Sequence, residues 1–365
     1  MNLQSQIDRH RREIHTDSYP MSVGELANLY RDGELEIHPE YQRFFRWTLL
    51  QKSRWIESVL LGIPLPSIFV AQREDGVWDL VDGLQRVATL LQFMGELRDE
   101  SGRKVAALRL GGTKYLPALE GKAWQDVDPS QVFTADQQRF IKRAKLTVNI
   151  VLRESPEGTK YELFQRLNTG GTFLSDQELR SALLIAINRD FYRWLAELAK
   201  YEPYQACLAL SDRQVEEQYD LELAVRFVVL RTIDPQRLVG LRELSEFLTD
   251  EISRSASDAN FPYEEEARAF RTTFEVLYRA LESDAFRKYD PARGRFTGGT
   301  LVSAFEVVAI GVGFHHQRYD ADDAAAIAAR VKEEVWTEAD FLTSSGQRAT
   351  QRLPRTLRRG REVFA

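Results

Sequence analysis

Apolar residues along this chain switch between two spacings, and the switch is sharpest between Val77 and Leu91. Trp78 and Leu80, with Val81, suit a buried strand. The strand pattern stops at Asp82-Gly83. Val87, Leu90, Leu91 and Met94 then recur at helical spacing and give the following segment one apolar face. The pattern predicts a strand that turns directly into a helix.

Before this elbow, Ser22-x-x-Glu25 is a capping-box pattern, and Leu26, Leu29 and Tyr30 follow on one helical face up to Gly33. Leu35 and Ile37 alternate with Glu34 and Glu36, which predicts a short strand ended by Pro39. Thr48-x-x-Gln51 is a second capping box, followed by a stripe of Trp55, Ile56, Val59 and Leu60. Pro64 and Pro66 forbid helix. Ser67 to Ala71 reads as a strand, and Glu74-Asp75-Gly76 as a hairpin turn into the elbow strand. From 97 to 134 the pattern weakens; Gly111-Gly112 marks a turn, and Trp124 is expected in a satellite core. Thr134 to Arg143 reads as a polar helix, and Leu146, Val148, Ile150 and Leu152 alternate as a strand that returns to the same sheet.

Tyr161 to Leu167 is a further predicted helix, broken by Gly170-Gly171 before a third capping box, Ser175-x-x-Glu178, with Leu179, Leu183 and Leu184 turned inward. Beyond residue 190 the pattern is helical at 221–230, 238–252, 263–281, 301–313 and 324–336, with loops expected at 253–260 and 288–300. The expected fold class is α+β: a polar arm at 1–20, a small mixed sheet with helices at 21–160, and a mostly helical domain at 161–365 with a basic C-terminal tail.

Composition narrows the function classes. The chain of 365 residues is 43% hydrophobic and 28% charged, enough to bury a core in two or three domains. No apolar run reaches bilayer length, and a polar N-terminus predicts no signal peptide. The single cysteine, Cys207, excludes an internal disulfide and a thiolate-rich metal site and fits a cytoplasmic protein. A net charge of −6 argues against nucleic-acid binding by the whole surface. Against that background Arg348, Arg352, Arg355, Arg358, Arg359 and Arg361 stand out, with no acid between Asp340 and Glu362. Two readings stay open for this stretch: a solvated helix face paired with the acidic segment at Lys332–Glu334, or a DNA phosphate-backbone contact. His315 and His316 are adjacent and lack an acid at ligand spacing, which speaks against a metal site there.

The candidate chemistry sits at the elbow. A helix N-terminus presents unpaired N–H groups and the positive end of its dipole, which suits phosphate. Gly83 permits close backbone approach to an anion. Arg86 can fork onto phosphate oxygens, and Asp82 can hold a divalent cation or orient a water. The commoner role of such a group is an N-cap aspartate, a turn glycine and a surface arginine. Gln42, Arg43 and Arg46 lie in the aromatic-rich run before Trp47 and look like a polar cluster facing a charged ligand. The Asn168-Thr169-Gly170-Gly171 turn ends on a helix start, but it lacks the lysine of a Walker loop, and a plain helix corner is its commoner form.

Four motifs taken together carry a resemblance: Pro39-Glu40-Tyr41-Gln42-Arg43 with Trp47; Trp55-Ile56-Glu57-Ser58-Val59-Leu60-Leu61-Gly62-Ile63-Pro64-Leu65-Pro66; Asp82-Gly83-Leu84-Gln85-Arg86; and Phe164-Gln165-Arg166-Leu167-Asn168-Thr169-Gly170-Gly171. Over roughly residues 20–190 the chain resembles the family called domain of unknown function 262, the N-terminal domain of GmrSD-type Type IV restriction enzymes and of the phosphorothioate-sensing protein SspE. The resemblance implies a ParB/sulfiredoxin-like fold and nucleoside-triphosphate hydrolysis with Mg²⁺ or Mn²⁺, in defence against phage or modified DNA. Taken with the elbow and the polar cluster, it points to catalysis by Asp82, Gln85 and Arg86, metal at Asp82, and nucleotide contacts by Gln42, Arg43, Arg46, Gly83, Arg86, Arg166 and Asn168. Leu84 departs from the family's usual glutamine, which puts hydrolysis in question. Five histidines without a ββα arrangement give no His-Asn-His nuclease domain, so cleavage falls to the first domain or to a partner nuclease chain. A non-hydrolysing nucleotide- or DNA-binding module, or a ParB-like nicking enzyme, remains the alternative. The oligomeric state, a homo-oligomer included, is left open.

Overall fold

The computed structural model describes residues 3–4, 15–37, 47–99, 101–153, 175–336 and 348–365. The chain divides into two compact units, Met1–Phe173 and Leu174–Ala365. Among the described residues no helix is long and apolar enough to cross a membrane.

Unit one is built on a five-stranded mixed sheet in the order β1-β5-β3-β4-β2, with β1 at Thr16–Ser22, β2 at Leu35–Glu36, β3 at Ile68–Gln72, β4 at Trp78–Asp82 and β5 at Lys145–Val151. β1 pairs antiparallel with β5, β5 parallel with β3, β3 antiparallel with β4, and β4 parallel with β2. Alternation sends Met21, Leu35, Ile68, Val70, Leu80, Leu146, Val148 and Ile150 to one face. Helices α1 (Val23–Asp32), α2 (Leu49–Leu60), α3 (Leu84–Phe93) and α4 (Ala135–Arg143) cover that face with Leu26, Trp55, Ile56, Val59, Val87, Leu90, Leu91 and Ile141. The caps act as their sequences predict. Ser22 accepts from the Glu25 amide, and Thr48 with Gln51 forms a reciprocal box.

Two expectations are corrected in this unit. Part of the stretch read as a polar arm is strand β1; its residues are mostly exposed, and Pro20 hides the alternation at the end position of the sheet, where a missing N–H is tolerated. Trp124 is not in a satellite core. It joins the main one edge-on to Phe93, which also meets Phe133. The weakly patterned 97–134 region is held by side chains of α2: Ser53 Oγ accepts from the Gly111 amide at 2.8 Å, and buried Glu57 accepts from the Tyr115 and Leu116 amides and from Thr113 Oγ1.

Unit two contains α5 (Asp176–Ile187), α6 (Arg189–Ala199), α7 (Glu202–Cys207), α8 (Asp212–Glu216), α9 (Tyr219–Leu230), α10 (Leu244–Ser257), α11 (Tyr263–Leu281), α12 (Val302–Phe314), α13 (Ala324–Arg330) running into a π-turn at Val331–Val335, and α14 (Ala349–Val363). The third capping box forms at Ser175 with Glu178. α10 extends through most of the loop expected at 253–260. The loop expected at 288–300 contains a hairpin, β6 (Lys288–Asp290) with β7 (Arg295–Thr297). Three-residue strands are too short to display a period in sequence.

The basic C-terminal stretch is helix α14, docked closely on α12. A Cβ on Gly360 would run into the Val307 carbonyl oxygen, so only glycine allows this approach. Arg352 turns inward at the crossing. Its Nε and Nη2 donate to the two oxygens of Glu306 at 2.9 and 2.7 Å, Thr356 Oγ1 donates to the same carboxylate at 2.9 Å, and Glu306 is fully buried. Arg361 lies 4.2 Å over the Phe314 ring and donates to the Arg231 and Ile233 carbonyls. Arg348, Arg355 and Arg358 are exposed, and Arg359 is half-buried with Nη2 donating to the Glu334 carbonyl.

Two outcomes follow from this packing. Arg352→Met leaves the Glu306 carboxylate inside the helical unit without its main partner and should cost about 3 kcal/mol, read from the denaturant midpoint. Burial pushes the Cys207 thiol up to about 12; its thiolate is therefore scarce at mildly alkaline pH. A thiol-specific chromogenic reagent should react at Cys207 only as denaturant unfolds the chain.

Candidate functional site

The elbow is set by three local constraints. β4 carries an irregularity against β3: Phe69 pairs with Asp82 but Val70 pairs with Leu80, so Val81 is extra. Such a bulge re-aims the residue that follows it, here Asp82. Gly83 then takes φ +96°, a conformation that L side chains rarely adopt, and a Cβ there would lie 2.6 Å from Ile68 Cγ2. Helix α3 starts at once, and its N-cap Gly83 supplies no side-chain hydrogen bond to the first turn. The amides of that turn are the groups able to meet an anion.

Arg86 folds back across the elbow. Its Nη1 donates to the Ser67 carbonyl at 2.6 Å and its Nη2 to Asp82 Oδ2 at 2.7 Å. The Arg86 and Asp82 side chains are 16% and 23% exposed, so the pair is sheltered yet reachable. Of five guanidinium N–H donors, these bonds use two. Gln85 Oε1 accepts from the Trp47 amide at 3.1 Å, and Trp55 Nε1 donates to the Arg86 carbonyl at 3.1 Å. Trp47 and Trp55 meet edge to face with ring centroids 6.2 Å apart. Lys52 Nζ donates to Gln92 Oε1 at 2.9 Å and ties α2 to α3 one turn further on.

Two of the sequence motifs, joined by the residue that follows the second, therefore converge on Gln85 and Arg86 of a third. The end of the aromatic run arrives through Trp47, the α2 motif through Trp55, and the segment after the proline pair through Ser67. Gln42, Arg43, Arg46, Arg166 and Asn168, with the predicted helix at 161–167 and the glycine pair at 170–171, lie outside the described residues. Leu84, where glutamine was expected, is half-buried and packs against the core of unit one. Arg348, Arg352, Arg355, Arg358 and Arg359 belong to unit two, on α14.

Sequence reasoning did not mark Ser67 or Ile68. Ser67 contributes a backbone carbonyl, which carries no residue signature, and Ile68 acts by filling the space under Gly83. Trp55 was legible as a core anchor, but its ring N–H role depends on where α3 starts. Arg180 on α5 was also missed. It is 1% exposed, and its guanidinium donates to Gln177, to Thr249 Oγ1 and to Ser245.

Among the described residues no cluster of three or more His, Cys, Asp or Glu suits a metal ion.

Gly83→Ala should lower stability by about 3 kcal/mol, because backbone strain and the contact with buried Ile68 add. In an Ile68→Ala background the added loss should shrink, which a double-mutant cycle by urea denaturation measures.

Residues 23–185 match the family model of the GmrSD restriction endonuclease, N-terminal domain. No curated protein and no solved structure gives a significant match. The matched span contains α1 to α4, strands β2 to β5, the elbow and nearly all of α5. Residues 23–185 are therefore similar to the N-terminal domain of GmrSD restriction endonucleases, a likeness that suggests a component of a restriction or anti-phage system.

Proposed function

We propose that the elbow binds the phosphates of a nucleoside triphosphate and promotes their hydrolysis, and that this step controls DNA sensing or cleavage. The observation that carries the reading is the Asp82–Arg86 pair at an uncapped helix start, sheltered, with Arg86 held by Ser67 and Trp55. Arg86 has donors to spare for phosphate oxygens, and the first amides of α3 face the same end of the helix. A phosphate beside Asp82 would be repelled unless a cation intervened, so Asp82 is the residue to hold Mg²⁺ or Mn²⁺. That ion, when bound, would neutralise charge developing on the transferred phosphoryl group. Gln85 holds the entering chain through Trp47, so substitution there should disturb the wall that the preceding residues Gln42, Arg43 and Arg46 would supply. Arg166 and Asn168 would complete the nucleotide contacts.

In this reading the helical unit meets DNA. The exposed cations there are Arg355 and Arg358 of α14 and Arg348 at its N-cap, with Arg359 half-buried. Arg352 is engaged with Glu306 and serves the packing of α14. A separate nuclease chain, or self-association, would supply cleavage that the elbow does not perform. Leu84 favours a second reading, a module that binds nucleotide without turning it over, because an apolar side chain packed on the core cannot orient water.

The test is phosphate release from each nucleoside triphosphate with Mg²⁺ or Mn²⁺. Arg86→Ala should reduce release to background while circular dichroism shows the fold retained. Turnover equal to wild type in that variant removes the elbow as the site. Leu84→Gln should raise turnover. Calorimetric nucleotide binding without release, in wild type and in Leu84→Gln, selects the non-hydrolysing module, and nicking of supercoiled plasmid by the purified chain selects direct DNA cleavage.

A further inference from the structure

The hairpin β6–β7 is the most basic short segment in unit two outside α14. From Arg287 to Arg295 it carries Arg287, Lys288, Arg293 and Arg295 against one acid, Asp290, in a chain whose net charge is −6. Its register separates two faces. Tyr289 pairs with Phe296, and their rings lie 5.0 Å apart, half-buried. Lys288 pairs with Thr297, and Asp290 with Arg295, on the opposite face. Lys288, Arg293 and Arg295 are exposed. The acid is drawn into the turn: Asp290 Oδ1 accepts from the Ala292 and Arg293 amides, and Oδ2 sits 3.5 Å from Arg293 Nε. Arg287 is occupied by Asp284 and by the Gly298 carbonyl.

An isolated two-stranded hairpin is marginal by itself in water, so its retention on a helical unit calls for a partner or a task. The base of this one is anchored. Leu301 donates its amide to the Phe286 carbonyl at 2.9 Å, and Lys332 Nζ lies 6.0 Å from the Tyr289 ring centroid. Lys332 belongs to the π-turn at Val331–Val335, whose Glu334 carbonyl accepts from Arg359 of α14. Hairpin and basic helix thus touch the same turn, where Glu333 and Glu334 are the exposed acids.

We propose that the β6–β7 hairpin is a phosphate-backbone contact for duplex nucleic acid, made by Lys288, Arg293 and Arg295, with Lys332 extending it toward α14. This rests on the reading of the chain as a component that meets DNA, and it locates the contact. Charge complementarity selects a polyanion. A membrane surface is disfavoured because neither Tyr289 nor Phe296 is among the exposed large apolar residues, so the hairpin has nothing to insert. Single strands are disfavoured because they are gripped by open aromatic faces, and these two rings are half-buried against each other.

The experiment uses the full chain, a short fluorescein-labelled duplex, the matching single strand and an acidic peptide, with anisotropy followed across a salt series. The wild type should bind the duplex ahead of the other two probes. Lys288→Ala/Arg293→Ala/Arg295→Ala should weaken duplex binding about tenfold or more and lower the salt slope by about three, one unit per lost phosphate contact. Basal phosphate release without DNA should stay at the wild-type level, and an unchanged circular-dichroism melt shows the fold retained. Duplex binding by the triple variant equal to wild type overturns the proposal, as does preference of the wild type for single strand or acidic peptide, or no duplex binding at all. Absence of phosphate release in every variant would remove the hydrolysis reading and leave this contact standing, since its readout is binding alone.

Discussion

Ile68 lies under Gly83 so closely that no side chain fits between them, and Arg86 closes over the same spot onto Ser67 and Asp82. The whole candidate site depends on that contact. It forces β4 to end where α3 begins, and it places an acid and a base four residues apart on the two sides of one turn. The bulge at Val81 aims the acid, and the buried β3 residue fixes the glycine. A helix start without a side-chain cap would ordinarily satisfy its amides with water. Here it is flanked by a sheltered ion pair, and the proposed phosphate binding rests on that combination.

The parts around the elbow serve its position. α2 reaches α3 through the Trp55 ring N–H and through Lys52, while its other side, at Ser53 and Glu57, gathers the loop at 111–116. The motif that looks like an apolar stripe in sequence is therefore a two-sided brace.

The helical unit handles charge differently. Its basic helix splits into an inner and an outer set, because α12 and α14 approach at Gly311 and Gly360 until a buried carboxylate needs a cation of its own. Arg352 answers that need, and Arg361 lies over Phe314. What remains outside is a narrower basic face than the arginine count implies, and the neighbouring hairpin adds to it.

Most elements of both units were legible because each declares itself locally. Thr48, Thr134 and Ser175 cap helices through residues three positions on, and Leu146, Val148 and Ile150 alternate over a strand long enough to count. The Asp82-Gly83 elbow was legible for the same reason, as a change of period at a glycine. Strand β1 and the β6–β7 hairpin were not, since one is mostly exposed with a proline inside it and the other is three residues a side. Trp124 could not be placed, because a single aromatic in weak patterning carries no address. Sequence by itself determined where the chain turns from strand to helix and which charged residues stand there. Only the tertiary structure decided that Ser67 and Trp55 hold Arg86, that Trp47 meets Gln85 and that Arg352 faces inward, because those choices are made by backbone groups and buried partners far away in the chain.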